Sequence, residues 1–117
     1  MIENFGIGID ISSINKFKNK SFTKNKSFYK KIFTDEELTY CLKFKNSYEK
    51  FAGKFAIKEA LIKSISKELE LSKIITSHLD SKPIAKILDS KQKYRFLVSL
   101  SHENNFAIAV VISEKIT

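Results

Sequence analysis

The sequence predicts an α+β domain, and three observations carry that reading. Residues 5–11 alternate strictly in polarity, residues 34–67 hold two capped helical stretches, and several β-rich runs follow from Ile74 onward. One domain, residues 1–117, accounts for the chain, which shows no linker and no repeat.

In Phe5-Gly6-Ile7-Gly8-Ile9-Asp10-Ile11 the isoleucines point to one side of a strand, and Gly6, Gly8 and Asp10 to the other. Thr34 with Glu37 three residues on is a capping box, with Asp35, Glu36 and Glu37 at the positive end of a helix running to about Phe44. Asn46 or Ser47 caps a longer helix from about Tyr48 to Lys67. Residues 74–79 and 84–88 read as strands joined by the turn Asp80-Ser81-Lys82-Pro83. Residues 96–100 and 106–112 read as a closing hairpin around Glu103-Asn104-Asn105.

Composition narrows the class of protein. An apolar fraction of 43%, with ten Phe and four Tyr, is too high for disorder, and three Gly with one Pro exclude collagen-like chains. Cys41 stands alone, so neither an intramolecular disulfide nor a cysteine metal cluster can form. The N-terminus lacks a signal-peptide pattern and no window approaches the ~20 apolar residues of a membrane span. A cytoplasmic protein without a membrane partner is expected. The formal charge is +8, from 21 Lys and Arg against 13 Asp and Glu, and Arg95 is the sole arginine. Seven of the lysines fall between Lys16 and Lys31. Such a surface attracts anions of some kind.

Two carboxylates stand out. On a wheel of 100° per residue, Ala52, Phe55, Ala56, Ile62 and Lys63 lie within roughly 60° of Glu59. That stripe should face the protein, and a carboxylate inside it needs a cation or hydrogen-bond donors. Lys63, four residues on, is the purely structural partner; a metal ion is the functional one. Asp10 ends an apolar strand whose same-face neighbours are glycines, where a ligand or another backbone comes close. Mg²⁺ is commonly held by one or two carboxylates plus water and substrate phosphates, so Asp10 and Glu59 suffice if strand and helix pack together. Ser99-Leu100-Ser101-His102 adds a hydroxyl and an imidazole able to donate to phosphate oxygens. Without a Gly-rich nucleophile turn, Ser101 is not a hydrolase nucleophile. His78 has no companion ligand and reads as structural, while Gly53, inside a helix, points to close packing there.

With these pieces in order, the chain resembles the bacterial holo-acyl-carrier-protein synthases, the short type of 4′-phosphopantetheinyl transferase. The matching segments are Gly6-Ile7-Gly8-Ile9-Asp10-Ile11, then Lys31-Ile32-Phe33-Thr34 leading to Glu37. Residues 51–60 (FAGKFAIKEA) with Lys63, then Lys82-Pro83 and Ser99-Leu100-Ser101-His102, complete the set. The resemblance implies a mainly antiparallel sheet packed against a central helix, and a homotrimer with active sites between subunits. It implies Mg²⁺ on Asp10 and Glu59, with Lys63, Ser101 and His102 lining the coenzyme A phosphates and Lys82-Pro83 near its adenosine end. Asp10, Glu59 and Lys63 are the implied catalytic set. The implied reaction moves 4′-phosphopantetheine from coenzyme A to a serine of apo-acyl carrier protein, releasing 3′,5′-ADP, a step of fatty acid biosynthesis. Lys16 and Lys54 stand where the family commonly has Arg, and Ser81 where it has Gly. Lys58 and Lys63 are expected to serve the coenzyme, and the Lys16–Lys31 cluster to attract the acidic carrier protein. The alternatives are a small basic nucleic-acid-binding domain, using that cluster and its interleaved aromatics, a metal-dependent phosphohydrolase, or a non-catalytic interaction domain.

Overall fold

The computed structural model describes residues 2–117. In order these form β1 (Phe5–Ser13), α1 (Ile14–Lys18), α2 (Lys26–Ile32), α3 (Asp35–Leu42) and α4 (Ser47–Ile65). A 3-10 turn (Leu71–Lys73), then β2 (Ile74–Leu79), β3 (Lys82–Ile87), β4 (Lys93–Glu103) and β5 (Phe106–Ile116) follow. The long strands make an antiparallel sheet in the order β1-β5-β4, and β2 and β3 make a separate hairpin beside β4. The α+β expectation holds, and α4 is the central helix.

Alternation decides what each face of the large sheet meets. Ala107, Ala109, Val111 and Ser113 of β5 are buried toward α4, and the even-numbered positions of β1 share that face, Gly8 and Ser12 buried and Gly6 and Asp10 half-buried. The other face is open: Ile7 is 69% exposed, Ile9 58%, Ile11 61% and Leu97 70%. The inward face of β1 is nearly bare because backbone meets backbone there. A Cβ at Gly8 would lie 1.9 Å from the Ala60 carbonyl oxygen, and one at Gly6 1.7 Å from that of Ser64. Of the two causes the sequence left open, it is the backbone of α4 that the glycines admit.

Helix α4 is wrapped on most sides, and its covered face is not the expected one. The buried residues centre on Ile57 and Leu61, whereas Phe55, Glu59 and Ile62 are only half-buried and Lys63 is exposed. Lys54 and Lys58 lie on the covered side, because both ammonium groups find partners inside. The helix ends at Ile65, two residues early, where Ser66 takes a left-handed φ of 54°.

Residues 14–32 contain two short helices that the lysine-rich composition conceals. Their apolar residues are core: Phe17 and Tyr29 are each 2% exposed, and Phe17 packs among Tyr29, Phe33, Phe51 and Phe55 with ring centroids 5.7–6.2 Å away. The Tyr29 hydroxyl donates to the Phe17 and Lys20 carbonyls. Burial, and then Cys41, pushes its phenol up to about 12, so it remains a donor.

The hairpins are tighter than expected. Asp80 and Ser81, with φ of 50° and 69°, form a two-residue turn closed by Leu79 and Lys82, so Lys82 and Pro83 belong to β3 and not to the turn. Asn104, at φ 52°, and Asn105 likewise close β4 onto β5 between Glu103 and Phe106, so both strands run several residues past their expected ends.

The capping box forms as expected. The Glu37 amide donates to Thr34 Oγ1, and Glu37 Oε1 accepts from the Thr34 amide at 2.9 Å. Its carboxylate does more. Lys58 Nζ, with no exposed surface, donates to Glu37 Oε1 at 2.6 Å and to the carbonyls of Ile32 and Leu71. Glu37 Oε2 accepts from the amide and hydroxyl of Thr76, and Thr76 Oγ1 accepts from Lys54 Nζ at 3.0 Å. Burial pushes the Glu37 carboxyl up, but the Lys58 charge and the bonds from Lys58, Thr76 and Thr34 outweigh it and hold the group below its ordinary value. Burial pulls Lys58 down, and Glu37 only partly restores it.

Two outcomes follow from this packing. Gly8→Ala should cost about 3 kcal/mol, since the clash is with backbone. Gly53→Ala should cost much less, because the new methyl meets Leu100 Cδ2 at 3.1 Å and gains helix propensity; equal urea midpoints for the two variants would contradict this. The folded Glu37 carboxyl lies below its unfolded value, so its contribution is complete above about pH 4.5 and is lost as the pH falls through the lower folded value. Glu37→Gln should therefore destabilise by about 3–5 kcal/mol at pH 7. The gap to wild type should narrow below pH 4.5, as read by urea denaturation across pH; parallel curves would refute the linkage.

Candidate active site

Strand β1 descends α4 in step, two strand residues (about 6.6 Å) per helical turn (about 5.4 Å). Gly6 sits at Ser64 and Gly8 at Ala60, and the same step continued brings Asp10 to the level of the preceding turn, which carries Ala56 and Glu59. The Asp10 side chain is 15% exposed and doubly held. Ser12 Oγ donates to Oδ2 at 2.8 Å, and Lys63 Nζ lies 3.3 Å from Oδ1 while donating to the Ile9 carbonyl at 3.0 Å. The structural partnership of Glu59 with Lys63 does not form, because Lys63 reaches across to Asp10. Glu59 enters none of the ion pairs among the described residues. It stands half-buried on the open stripe of α4, one turn before Lys63.

The remaining expected site residues lie elsewhere. His102 of β4 packs over Gly53, its Nε2 3.5 Å from where a Cβ would be. A Cβ there would be in ordinary contact with the imidazole and tighter against Leu100 Cδ2, at 3.1 Å. Between α4, the β2–β3 hairpin and β4 runs a narrow cleft lined by Gly53, Lys50, Lys54, His78, Pro83 and His102. Lys82 is exposed beside it at the hairpin tip. His78 packs at a tilt against Tyr40, ring centroids 5.4 Å apart, and burial, then Lys54 and Lys50, lowers its pKa. Ser101 is exposed on the outer sheet face, paired with Ile108 across to β5, and so points away from its neighbour His102.

One chain therefore holds the expected residues in separate places. Asp10, Glu59 and Lys63 lie on the β1 side of α4. His102 with Pro83 lies on the β4 side, two strand spacings or about 10 Å away across the sheet. Ser101 is on the opposite face.

Lys58 is not available to an anionic ligand. It is spent on Glu37, which corrects its expected coenzyme role. Two residues at the sites went unanticipated. Ser12, 5% exposed, shares the inward face of β1 with Asp10, and strand alternation alone places it there. Lys54 is 6% exposed and held by Thr76 across 22 residues of sequence, a contact no local pattern reveals. The departures from the family pattern also have places. Ser81 adopts the left-handed conformation a glycine would take, and Lys16 lies 4.0 Å over the Phe55 ring.

The stacking surface of a nucleic-acid platform is not offered, because Phe17 and Tyr29 are core and Phe22 and Phe28 pack against it. No helix of the described residues is long and apolar enough to cross a membrane.

The comparisons with known proteins bear on the family and the fold. A sequence model of the 4′-phosphopantetheinyl transferase superfamily matches residues 6–111. The holo-[acyl-carrier-protein] synthase of Thermodesulfovibrio yellowstonii is 35% identical over 115 residues, covering 96% of this chain and 98% of the relative. The synthase of Helicobacter pylori, solved in complex with coenzyme A, superposes with a TM-score of 0.77 at 31% identity, over 92% of this chain and 99% of that one. The Bacillus anthracis synthase, solved with CoA (3′,5′-ADP), gives 0.76 at 31% identity, over 93% and 95%. Sequence and fold converge, and the chain belongs to the 4′-phosphopantetheinyl transferase superfamily, among the holo-[acyl-carrier-protein] synthases.

Proposed function

We propose that this chain, acting as one domain, transfers 4′-phosphopantetheine from coenzyme A to a serine of an apo-acyl carrier protein and releases 3′,5′-ADP. The observation that carries the reading is Asp10 on β1 beside Lys63, opposite the α4 turn that bears Glu59. Two carboxylates on rigid elements suit a hard divalent cation, Mg²⁺ above all. No group of three or more metal-ligating side chains occurs among the described residues, so the other ligands have to be water and substrate phosphate. When bound, the cation neutralises charge on the pyrophosphate and its leaving phosphate.

The chain's own residues supply the rest. Asp10 and Glu59 would hold the cation, and Lys63 would take a phosphoryl oxygen, adding charge stabilisation. His102 would donate to the coenzyme phosphates, with Lys82 and Pro83 at the adenosine end; Ser101, on the outer sheet face, could donate to them only across the interface with another copy. A water hydrogen-bonded to Glu59 is the first choice of acceptor for the serine proton, and the carboxylate itself the second. The seven lysines between Lys16 and Lys31 are all exposed on and around α1 and α2, a basic surface suited to an acidic carrier protein.

Two features support sites shared between subunits, in what we take to be a homotrimer. The outer sheet face is apolar along β1 and β5, including Ile7, Ile9, Ile11 and Ile112. The carboxylates and His102 also lie on different margins of one chain, so a complete site needs the margins of two copies.

Incubation with Mg²⁺, coenzyme A and apo-acyl carrier protein should add about 340 Da to the carrier, a phosphoryl-transfer outcome the rival classes do not predict. Glu59→Gln should lower that rate on the order of 100-fold or more; transfer at the normal rate would remove Glu59 from the site. Asp10→Asn and His102→Ala chains, each impaired alone, should recover activity when co-expressed, because mixed oligomers contain interfaces with both native residues. Hetero-oligomers no more active than their parents would count against a shared site.

A further inference from the structure

We propose that Lys63 is the resident counter-ion of Asp10 in the ligand-free protein, and that it surrenders the carboxylate when a divalent cation arrives. The inference rests on the reading of Asp10 and Glu59 as metal ligands.

Both Asp10 oxygens are engaged, but unequally. Oδ2 takes the Ser12 hydroxyl at 2.8 Å, from a serine that is 5% exposed and cannot easily leave. Oδ1 takes Lys63 at 3.3 Å, from a side chain 55% exposed, whose shorter bond, 3.0 Å, goes to the Ile9 carbonyl. Ser12 thus fixes the orientation of the carboxylate, while Lys63 neutralises it loosely. A dication about 2.1 Å from the same oxygen attracts it roughly three times as strongly as one positive charge at 3.3 Å, at equal dielectric.

The exchange leaves nothing stranded. Asp10 is never an uncompensated carboxylate beside α4, and Lys63 has solvent on one side in which to swing. A flexible four-carbon stem and a half-exposed ammonium suit such a move; a buried bidentate pair would not. The released charge lies one helical turn from Glu59, where the pyrophosphate must sit if the metal reading is right. One lysine then serves the empty and the loaded site in turn, and free Mg²⁺ binds weakly until substrate phosphate is present to receive the lysine.

The test is Mn²⁺ binding followed by electron paramagnetic resonance without coenzyme A. Lys63→Gln should bind Mn²⁺ about three-fold tighter than wild type, the scale of a half-exposed ion pair. Lys63→Arg should stay within about two-fold of wild type, since it keeps the competing charge. In wild type the Lys63 side-chain NMR resonances should shift with Mg²⁺ at the midpoint of metal binding. Asp10→Asn separates the two readings. If Asp10→Asn loses Mn²⁺ but Lys63→Gln binds no tighter than wild type, the exchange is wrong and the metal site stands. If Asp10→Asn binds Mn²⁺ like wild type, the metal site itself is wrong and the exchange falls with it.

Discussion

An ammonium group with no exposed surface has to be matched inside the protein, and the Lys58–Glu37 pair does so for much of this fold. Lys58 gives its three protons to Glu37, to the end of α2 at Ile32 and to the 3-10 turn at Leu71. Glu37 returns four bonds, one to Lys58, one to the cap of α3 and two to Thr76 at the start of the β2–β3 hairpin. The central helix is thereby joined to every element that the large sheet does not touch directly. Burying two charges is expensive, and replacing both by apolar groups could be as stable. The pair also fixes where the hairpin sits relative to α4, and so where Pro83 and Lys82 stand relative to His102.

A second constraint acts from the other side. Gly6 and Gly8 let β1 lie on the carbonyls of α4, which sets the height of Asp10 along the helix. The ion pair holds one flank of α4 and the glycines hold the other. The stripe bearing Phe55, Glu59 and Lys63 remains less covered because neither fastening needs it.

The legible parts of the structure were local. The alternation of residues 5–11, the Thr34–Glu37 box and the helix around Glu59 all rest on spacings of two to four residues, and each formed. The ordered set Gly6–Asp10, 51–60 and 99–102 was specific enough to indicate the family. Illegible features depend on contacts distant in sequence. Lys58 looks like a surface lysine until Glu37, 21 residues earlier, is brought to it. Glu59 falls mid-stripe on a helical wheel, yet the covered side centres elsewhere because Lys54 and Lys58 find partners inside. The helices at 14–18 and 26–32 escaped because each shows only one or two core residues among lysines.

The open rows of isoleucine on β1 have a consequence for the chain before it finds a partner. A lone copy carries an exposed apolar surface of the sort that promotes disordered clumping at high concentration. The formal +8 opposes this, since like-charged copies repel before those rows can touch. Colloidal stability and productive association are then set by the same lysines. Ionic strength becomes the control on how often two newly made chains meet face to face.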